Sequence, residues 1–405
     1  MSQPSSGMDE GRSMRFTLEN VGILPDLTMD LDGITVLTGP DGTGKSTILR
    51  TVFSILESSD IDRRRDEDVR IALQSILARR GPDAVGASWC MGPDSIQACL
   101  DSLRSSGGLS PTDMETVDLI ERLVDGREDD RFHESLLASD LRSEFTSLSQ
   151  FVSNGSDGHA RVTVRHLGED RHMDVSGDRL VWSGVYRDLP GAAYYDTPSV
   201  LDAPNIHPDG HRASIVRMIA NRRDQGLIAE TMAHRRLEDF DRCVRSVLPG
   251  DIVYDRIRGT IDYVQSGRRP IGVRNMAAGL RVFAILRKLI ENGYITEDFV
   301  MLLDEPEVHM HPQWQVVLAE ALVILNKSVG CRILMTTHSP LLLRSLQAYS
   351  RMHGRDIRYY LLDRDPGRVG ERTDVTFRDL GSDPEKAYRT MSKAFDRAQD
   401  LFYGE

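Results

Sequence analysis

Cysteine is scarce in this 405-residue chain: Cys90, Cys99, Cys243 and Cys331 are spread widely, and none belongs to a CxxC pair. That pattern excludes a zinc knuckle or a disulfide framework and fits a reduced, cytoplasmic protein. Long apolar runs are missing too. None approaches the roughly 20 residues that a membrane helix requires, so no membrane partner is expected. Positive charge is in deficit, with 62 acidic side chains against 50 basic ones and a net charge of −12. Such a chain is a poor candidate for coating nucleic acid without regard to sequence, although a local basic groove stays open. The opening MSQPSSGMDEGRSM has no apolar stretch of the secretory kind and reads as a disordered lead-in over residues 1–14. Lysine is scarce as well. Only Lys45, Lys288, Lys327, Lys386 and Lys393 occur, and every other basic residue is arginine. Through residue 287 the sole lysine is Lys45, a position that needs an ammonium group rather than a guanidinium.

What is present is enough apolar material, 40% of residues, for a sizeable core. Residues 15–38 read as strands: RFTLENV and LTMDL alternate, and GITVLTG is a short β-branched run closed by glycine. From Lys45, the apolar residues Ile48, Leu49, Val52, Phe53 and Leu56 recur at helical spacing. Residues 59–189 read as a mostly helical insertion with a small antiparallel β unit near 160–183, and 212–248 as a long arginine-rich helical stretch. After residue 275 the pattern sharpens into a helix (GLRVFAILRKLIENG), a buried strand (FVMLLDE), a helix (WQVVLAEALVIL) and a second buried strand (CRILMTTHSP). Alternating helices and continuously apolar strands predict a parallel sheet covered on both faces. The expected architecture is α/β. Residues 15–58 and 190–382 form a P-loop NTPase core with an N-terminal antiparallel β portion, and 383–405 form a C-terminal helix.

Three motifs carry chemistry. The first is Gly39-Pro40-Asp41-Gly42-Thr43-Gly44-Lys45-Ser46, followed by Thr47, which fits GxxxxGK[ST] between a strand and a helix. In that pattern the glycines let successive backbone N–H groups turn inward around a phosphate. The helix start adds its positive end. Lys45 neutralises the β- and γ-phosphates, and Ser46 ligates Mg²⁺. The second is Asp304-Glu305 at the end of an apolar strand. Asp304 is placed to support Mg²⁺, and Glu305 to activate the attacking water as general base. The third is Thr336-Thr337-His338-Ser339-Pro340, where His338 is placed to sense the γ-phosphate.

LLDEPEVHMHPQWQ followed by LMTTHSP resembles the ABC-type ATPase heads of the OLD/RecF/SMC-like group, often filed as AAA-family ATPases. The resemblance is strongest over 270–345. It implies ATP and Mg²⁺ as ligands and a homodimer in which each ATP is closed by a signature helix of the other subunit. That helix falls near Met276-Ala277-Ala278-Gly279. Members usually carry a serine there; this chain has Ala277 and Ala278, with Arg281 a solvated helix arginine or a substitute contact. A glutamine-bearing Q-loop is not identifiable, and Tyr195-Asp196-Thr197 occupies its place. By the resemblance the work could be phage defence or DNA surveillance with a separate effector protein, DNA remaining an open partner.

Other readings carry less weight. Glu307, His309 and His311 have the makings of a metal site, but Pro306 and Pro312 bracket them as a turn. Asp363 and Asp365 form a DxD, yet too few residues follow Pro340 for a TOPRIM nuclease domain; LLDRD reads as a strand leaving the sheet. Arg212, Arg217, Arg222, Arg223, Arg235 and Arg236, interspersed with acids and without aromatics, read as a solvated helix face rather than a phosphate track. A nucleotide-gated scaffold with little hydrolysis is the alternative function, motivated by the signature alanines. A small-molecule kinase using the same loop is disfavoured by the DEPE and THSP segments.

Overall fold

The computed structural model describes residues 14–80, 93–105, 109–126, 129–153, 158–184, 186–202, 210–223, 237–365 and 374–392. The chain divides into two compact units, Ser58–Ser139 and the remainder.

The larger unit opens with β1 (Met14–Glu19), β2 (Leu27–Leu31) and β3 (Ile34–Thr38), and then α1 (Lys45–Ser58). The smaller unit takes in α2 (Ile61–Arg80), α3 (Pro93–Ser105), α4 (Pro111–Val124) and most of α5 (Asp129–Phe145). Its core packs Val69, Leu73 and Ile76 with Leu100, Val117 and Ile120, residues at helical spacing along three helices. Ser110 caps α4 by accepting from the Asp113 N–H.

After α6 (Leu148–Phe151) come β4 (His159–His166), β5 (Glu169–Ser176) and β6 (Arg179–Ser183). These strands continue the N-terminal sheet, giving the antiparallel order β2-β1-β4-β5-β6. The β unit read from the sequence as part of the insertion therefore shares a sheet with residues 14–31. Its alternating pattern matches a sheet covered on one face, as in β4, where every second residue is buried.

The rest of the larger unit runs β7 (Gly191–Tyr195), α7 (His211–Ala220), α8 (Glu238–Arg245), β8 (Asp251–Asp255), β9 (Thr260–Val264) and β10 (Ile271–Gly272). It continues with α9 (Arg281–Glu291), β11 (Phe299–Leu303), α10 (Pro312–Val329), β12 (Arg332–Thr337), α11 (Pro340–His353), β13 (Ile357–Arg364) and β14 (Val375–Gly381). The central sheet has the order β14-β13-β3-β12-β11-β7. Its strands from β13 to β7 run parallel, and β14 lies antiparallel at one edge. Strands β3, β11 and β12 are buried at every position, as a sheet covered on both faces demands.

Three expectations change. LLDR, residues 361–364, belongs to β13, which pairs with both β3 and β14 inside the sheet, and Asp365 follows the strand. Among the described residues, the stretch 212–248 holds the helices α7 and α8, with 221–223 non-helical after α7; 224–236, including Arg235 and Arg236, lie outside the described residues. The described arginines there are exposed except for half-buried Arg217, as expected, but they do not form one helix face: Arg222 and Arg223 follow the end of α7, Arg217 pairs with Glu57 at 2.7 Å, Arg212 with Asp196 at 2.9 Å, and Arg223 lies over the Tyr294 ring. Of the lead-in expected over 1–14, residues 1–13 lie outside the described residues and Met14 is the buried first residue of β1; of the expected C-terminal helix 383–405, residues 385–392 are helical and 393–405 lie outside the described residues. No described helix is long and apolar enough to cross a membrane.

Candidate functional site

The order β3-β12-β11 explains why three distant motifs meet. All three strands are parallel, so their carboxyl ends open on one edge of the sheet, where ligands of such folds bind. The Gly39–Ser46 loop follows β3, Asp304 and Glu305 follow β11, and His338 follows the strand between them.

The loop is built by close approach. Gly39 has φ 140°, and a Cβ there would lie 1.8 Å from the Leu362 carbonyl oxygen of β13, so only glycine fits. Thr43 Oγ1 donates to the Pro40 carbonyl at 2.9 Å, and Arg364 of β13 donates to the Gly42 carbonyl at 3.0 Å. Lys45 opens α1 and is buried. Its Nζ donates to the carbonyl oxygens of Gly39 and Pro40, each at 2.9 Å. The ammonium thus stands inside the loop that would receive a phosphate. Ser46 and Thr47 follow on the first turn, both half-buried, while Asp41 and Gly42 are exposed at the loop tip.

The β11 end is held by the two threonines of β12. Thr336 Oγ1 donates to Asp304 Oδ1 at 2.5 Å and accepts from the Glu305 N–H at 2.9 Å. Tyr194 of β7 donates its hydroxyl to Asp304 Oδ2 at 2.9 Å, so both oxygens of this buried carboxylate have a protein donor. Glu305 takes a left-handed φ of 46°, uncommon outside glycine, and its bonded N–H fixes that turn. Its Oε1 stands 3.3 Å from His338 Nδ1 and 4.0 Å from Lys45 Nζ. The hydrogen bond from His338, joined by the charges of His338 and Lys45, holds the Glu305 carboxyl below its ordinary range against the opposite pull of burial. The same bond raises His338 above its usual value, with Glu307 and Asp41 adding to it. Asp41, Glu305 and His338 place ligand atoms within 4.8 Å of one another.

Glu307 is buried beneath this edge, where desolvation pushes its carboxyl upward. It accepts from Thr337 Oγ1 at 2.6 Å and from the His338 N–H at 3.1 Å, which ties the two loops together. It does not join His309 and His311 in a ligand cluster. His309 is exposed in a left-handed turn, and His311 caps α10 through its Nδ1.

The signature segment is a 3-10 turn over Ala278–Leu280 that leads into α9. Ala277 is exposed and Ala278 half-buried. Gly279 is required inside the chain: a Cβ would lie 2.8 Å from the His309 carbonyl oxygen and 2.9 Å from Met310 Cα. Arg281 is neither solvated nor available to a ligand. It is buried, donating to the carbonyl of Pro198 and the carboxylate of Asp202 at 2.8 and 2.7 Å, and to the Arg274 carbonyl at 3.0 Å.

Asp196 stands beside Asp304, since the Asp304 N–H donates to the Tyr195 carbonyl at 2.8 Å. It lies 3.1 Å from His211 Nε2, and His211 Nδ1 lies 2.8 Å from Glu144. Burial alone would depress this imidazole, but hydrogen bonds to Asp196 and Glu144 outweigh it and lift His211 to about 9. Tyr194, Glu144 and His211 lie outside the three motifs, and Thr336 stands in the third without an assigned role. The apolar spacing gives them as strand and helix residues only, because their role depends on which strands become neighbours.

A bound metal would find suitable donors. Mg²⁺ takes hard oxygen ligands. The Ser46 hydroxyl opens α1 and the Asp304 carboxylate closes β11, the latter already oriented by two hydroxyls.

Residues 225–344 match the family model described as AAA domain, putative AbiEii toxin, Type IV TA system. None of the curated proteins matches the chain. Among solved structures, the chain is similar to the SMC head domain from Thermotoga maritima, with 12% identity, TM-score 0.41, and coverage of 91% of this chain and 99% of that one. An Smc head with an extended coiled coil, bound to the C-terminal domain of ScpA derived from Pyrococcus furiosus, has 10% identity, TM-score 0.43, and coverage of 94% and 98%. At these values the likeness assigns no residue a role.

Proposed function

We propose that the AAA-type domain carried by this chain binds Mg-ATP and hydrolyses it, and that two copies close around the nucleotide to drive or gate a partner. The observation that carries this reading is the meeting of Lys45, Asp304, Glu305 and His338 at one sheet edge, on three adjacent parallel strands. Lys45 exchanges its loop carbonyls for the β- and γ-phosphates. Ser46 and Asp304 hold the metal, which when bound neutralises phosphate charge. Glu305 takes a proton from the attacking water. A γ-phosphate draws Lys45 and His338 away from Glu305, which relieves the carboxylate of the contacts that weaken it as a base. A cytoplasmic setting belongs to the same reading and is supported by the scattered cysteines. Phage defence or DNA surveillance, with a separate effector, is the biological role we infer from the resemblance.

The homodimer is tested by sedimentation of Glu305→Gln with and without Mg-ATP. A monomer that doubles its mass only with nucleotide supports it, and an unchanged mass contradicts closure by two copies alone. The second reading, a nucleotide-gated scaffold, is favoured by Ala277 and Ala278, which offer no side-chain hydroxyl to a nucleotide across a dimer. Bound Mg-ATP without steady phosphate release would select it.

A further inference from the structure

We propose that Tyr194 is a positioning residue for Asp304: its hydroxyl aims the carboxylate at the metal and so sets the metal affinity of the site. The inference rests on the reading of Asp304 as a metal-supporting residue.

The geometry is specific. Tyr194 lies on β7, in register with Leu302 of the parallel strand β11, and is fully buried. Its ring is fixed on two sides, 5.9 Å from Phe53 of α1 and 4.5 Å from His211 of α7. The hydroxyl reaches Asp304 Oδ2 at 2.9 Å, while Thr336 holds the other oxygen. A carboxylate has about four lone-pair sites, so each oxygen keeps one for a metal or a metal-bound water.

The phenol is also linked to the helix that carries the other expected metal ligand: Phe53, which packs against its ring, lies on α1, the helix that opens with Lys45 and Ser46.

A buried tyrosine needs some partner, and a hydrogen bond serving only stability would also satisfy it. The two roles separate in metal affinity. Partners that orient metal ligands change affinity by roughly 10- to 100-fold when lost. The test uses the full chain with ADP and Mn²⁺ as the probe, reading free Mn²⁺ by electron paramagnetic resonance. In parallel, ADP affinity is measured in chelator. Tyr194→Phe is expected to weaken Mn²⁺ binding about tenfold, with metal-free ADP affinity unchanged. Asp304→Asn, measured alongside, weakens it at least as much. Wild-type Mn²⁺ affinity in Tyr194→Phe, with Asp304→Asn impaired, overturns the inference. Wild-type affinity in Asp304→Asn overturns the reading beneath it. Should Tyr194→Phe fail to fold, Tyr194→Met, which also removes the hydroxyl but leaves a flexible side chain to refill the pocket, replaces it. Weakened Mn²⁺ binding there supports the inference, and unchanged binding overturns it.

Discussion

His338 Nδ1 lies 3.3 Å from Glu305 Oε1, joining the residue after β12 to the residue placed to activate water after β11. Each partner shifts the other: Glu305 is lowered and His338 raised. A lowered carboxyl stabilises the fold above its ordinary 4.5, and this contribution is lost as pH falls through the folded value. A raised imidazole contributes below its ordinary 6.5, and this is lost as pH rises through the folded value. The pair therefore contributes fully only between those two ordinary values. Thermal melts of wild type and His338→Gln across that range should differ most inside the window and converge on either side. A pH-independent difference would contradict the ion pair.

Lys45 donates to two carbonyls of its own loop, so its loss affects phosphate binding more than the rest of the fold. Lys45→Ala should lower ATP affinity by about 10- to 100-fold, given roughly 1.5–3 kcal/mol for a charge-assisted contact. Calorimetric titration with Mg-ATP checks this, and wild-type affinity would remove Lys45 from the site.

His211 gives a second pH dependence. It faces Glu144 and Asp196, Asp196 also pairs with Arg212, and the Tyr194 ring lies against the imidazole. Its folded value of about 9 lies above the ordinary 6.5, so its stabilisation is fully present below 6.5 and lost as pH rises through about 9. His211→Gln should cost about 2–3 kcal/mol at pH near 6 and far less above 9, read from denaturant midpoints.

Arg281 predicts a stability effect without a binding effect. Its guanidinium ties the start of α9 to Pro198 and Asp202 beyond β7. Arg281→Ala should destabilise the fold by about 2–4 kcal/mol, while the protein that remains folded keeps its ATP affinity. Lost ATP affinity at unchanged stability would return this residue to the nucleotide site.

The parallel sheet, the loop at Lys45 and the acids at Asp304 and Glu305 were legible because each follows from local pattern: a buried β-branched run, glycines before a helix, carboxylates after an apolar strand. Residue pairs fixed by tertiary neighbours were not legible. Tyr194 stands at an ordinary strand position, and only the β7-β11 pairing turns it toward Asp304. Arg281 sits on a helix amid apolar residues, where sequence spacing alone cannot reveal that the loop from Pro198 to Asp202 covers it. The strands near 160–183 were read correctly as antiparallel, but their union with β1 rests on a pairing across more than a hundred residues. Gly279 stands in the expected signature segment, and spacing alone does not reveal that its close neighbours are His309 and Met310 of the same chain.

The most direct test of the central claim is phosphate release from saturating Mg-ATP, without added acceptor, by wild type and Glu305→Gln. The account predicts steady multiple turnover by the wild type. It also predicts a Glu305→Gln protein that still binds Mg-ATP but releases phosphate at least about 100-fold more slowly, the scale of a lost general base. Equal rates in the two proteins, or no turnover in either, would contradict the assignment of Glu305 and of the ATPase itself.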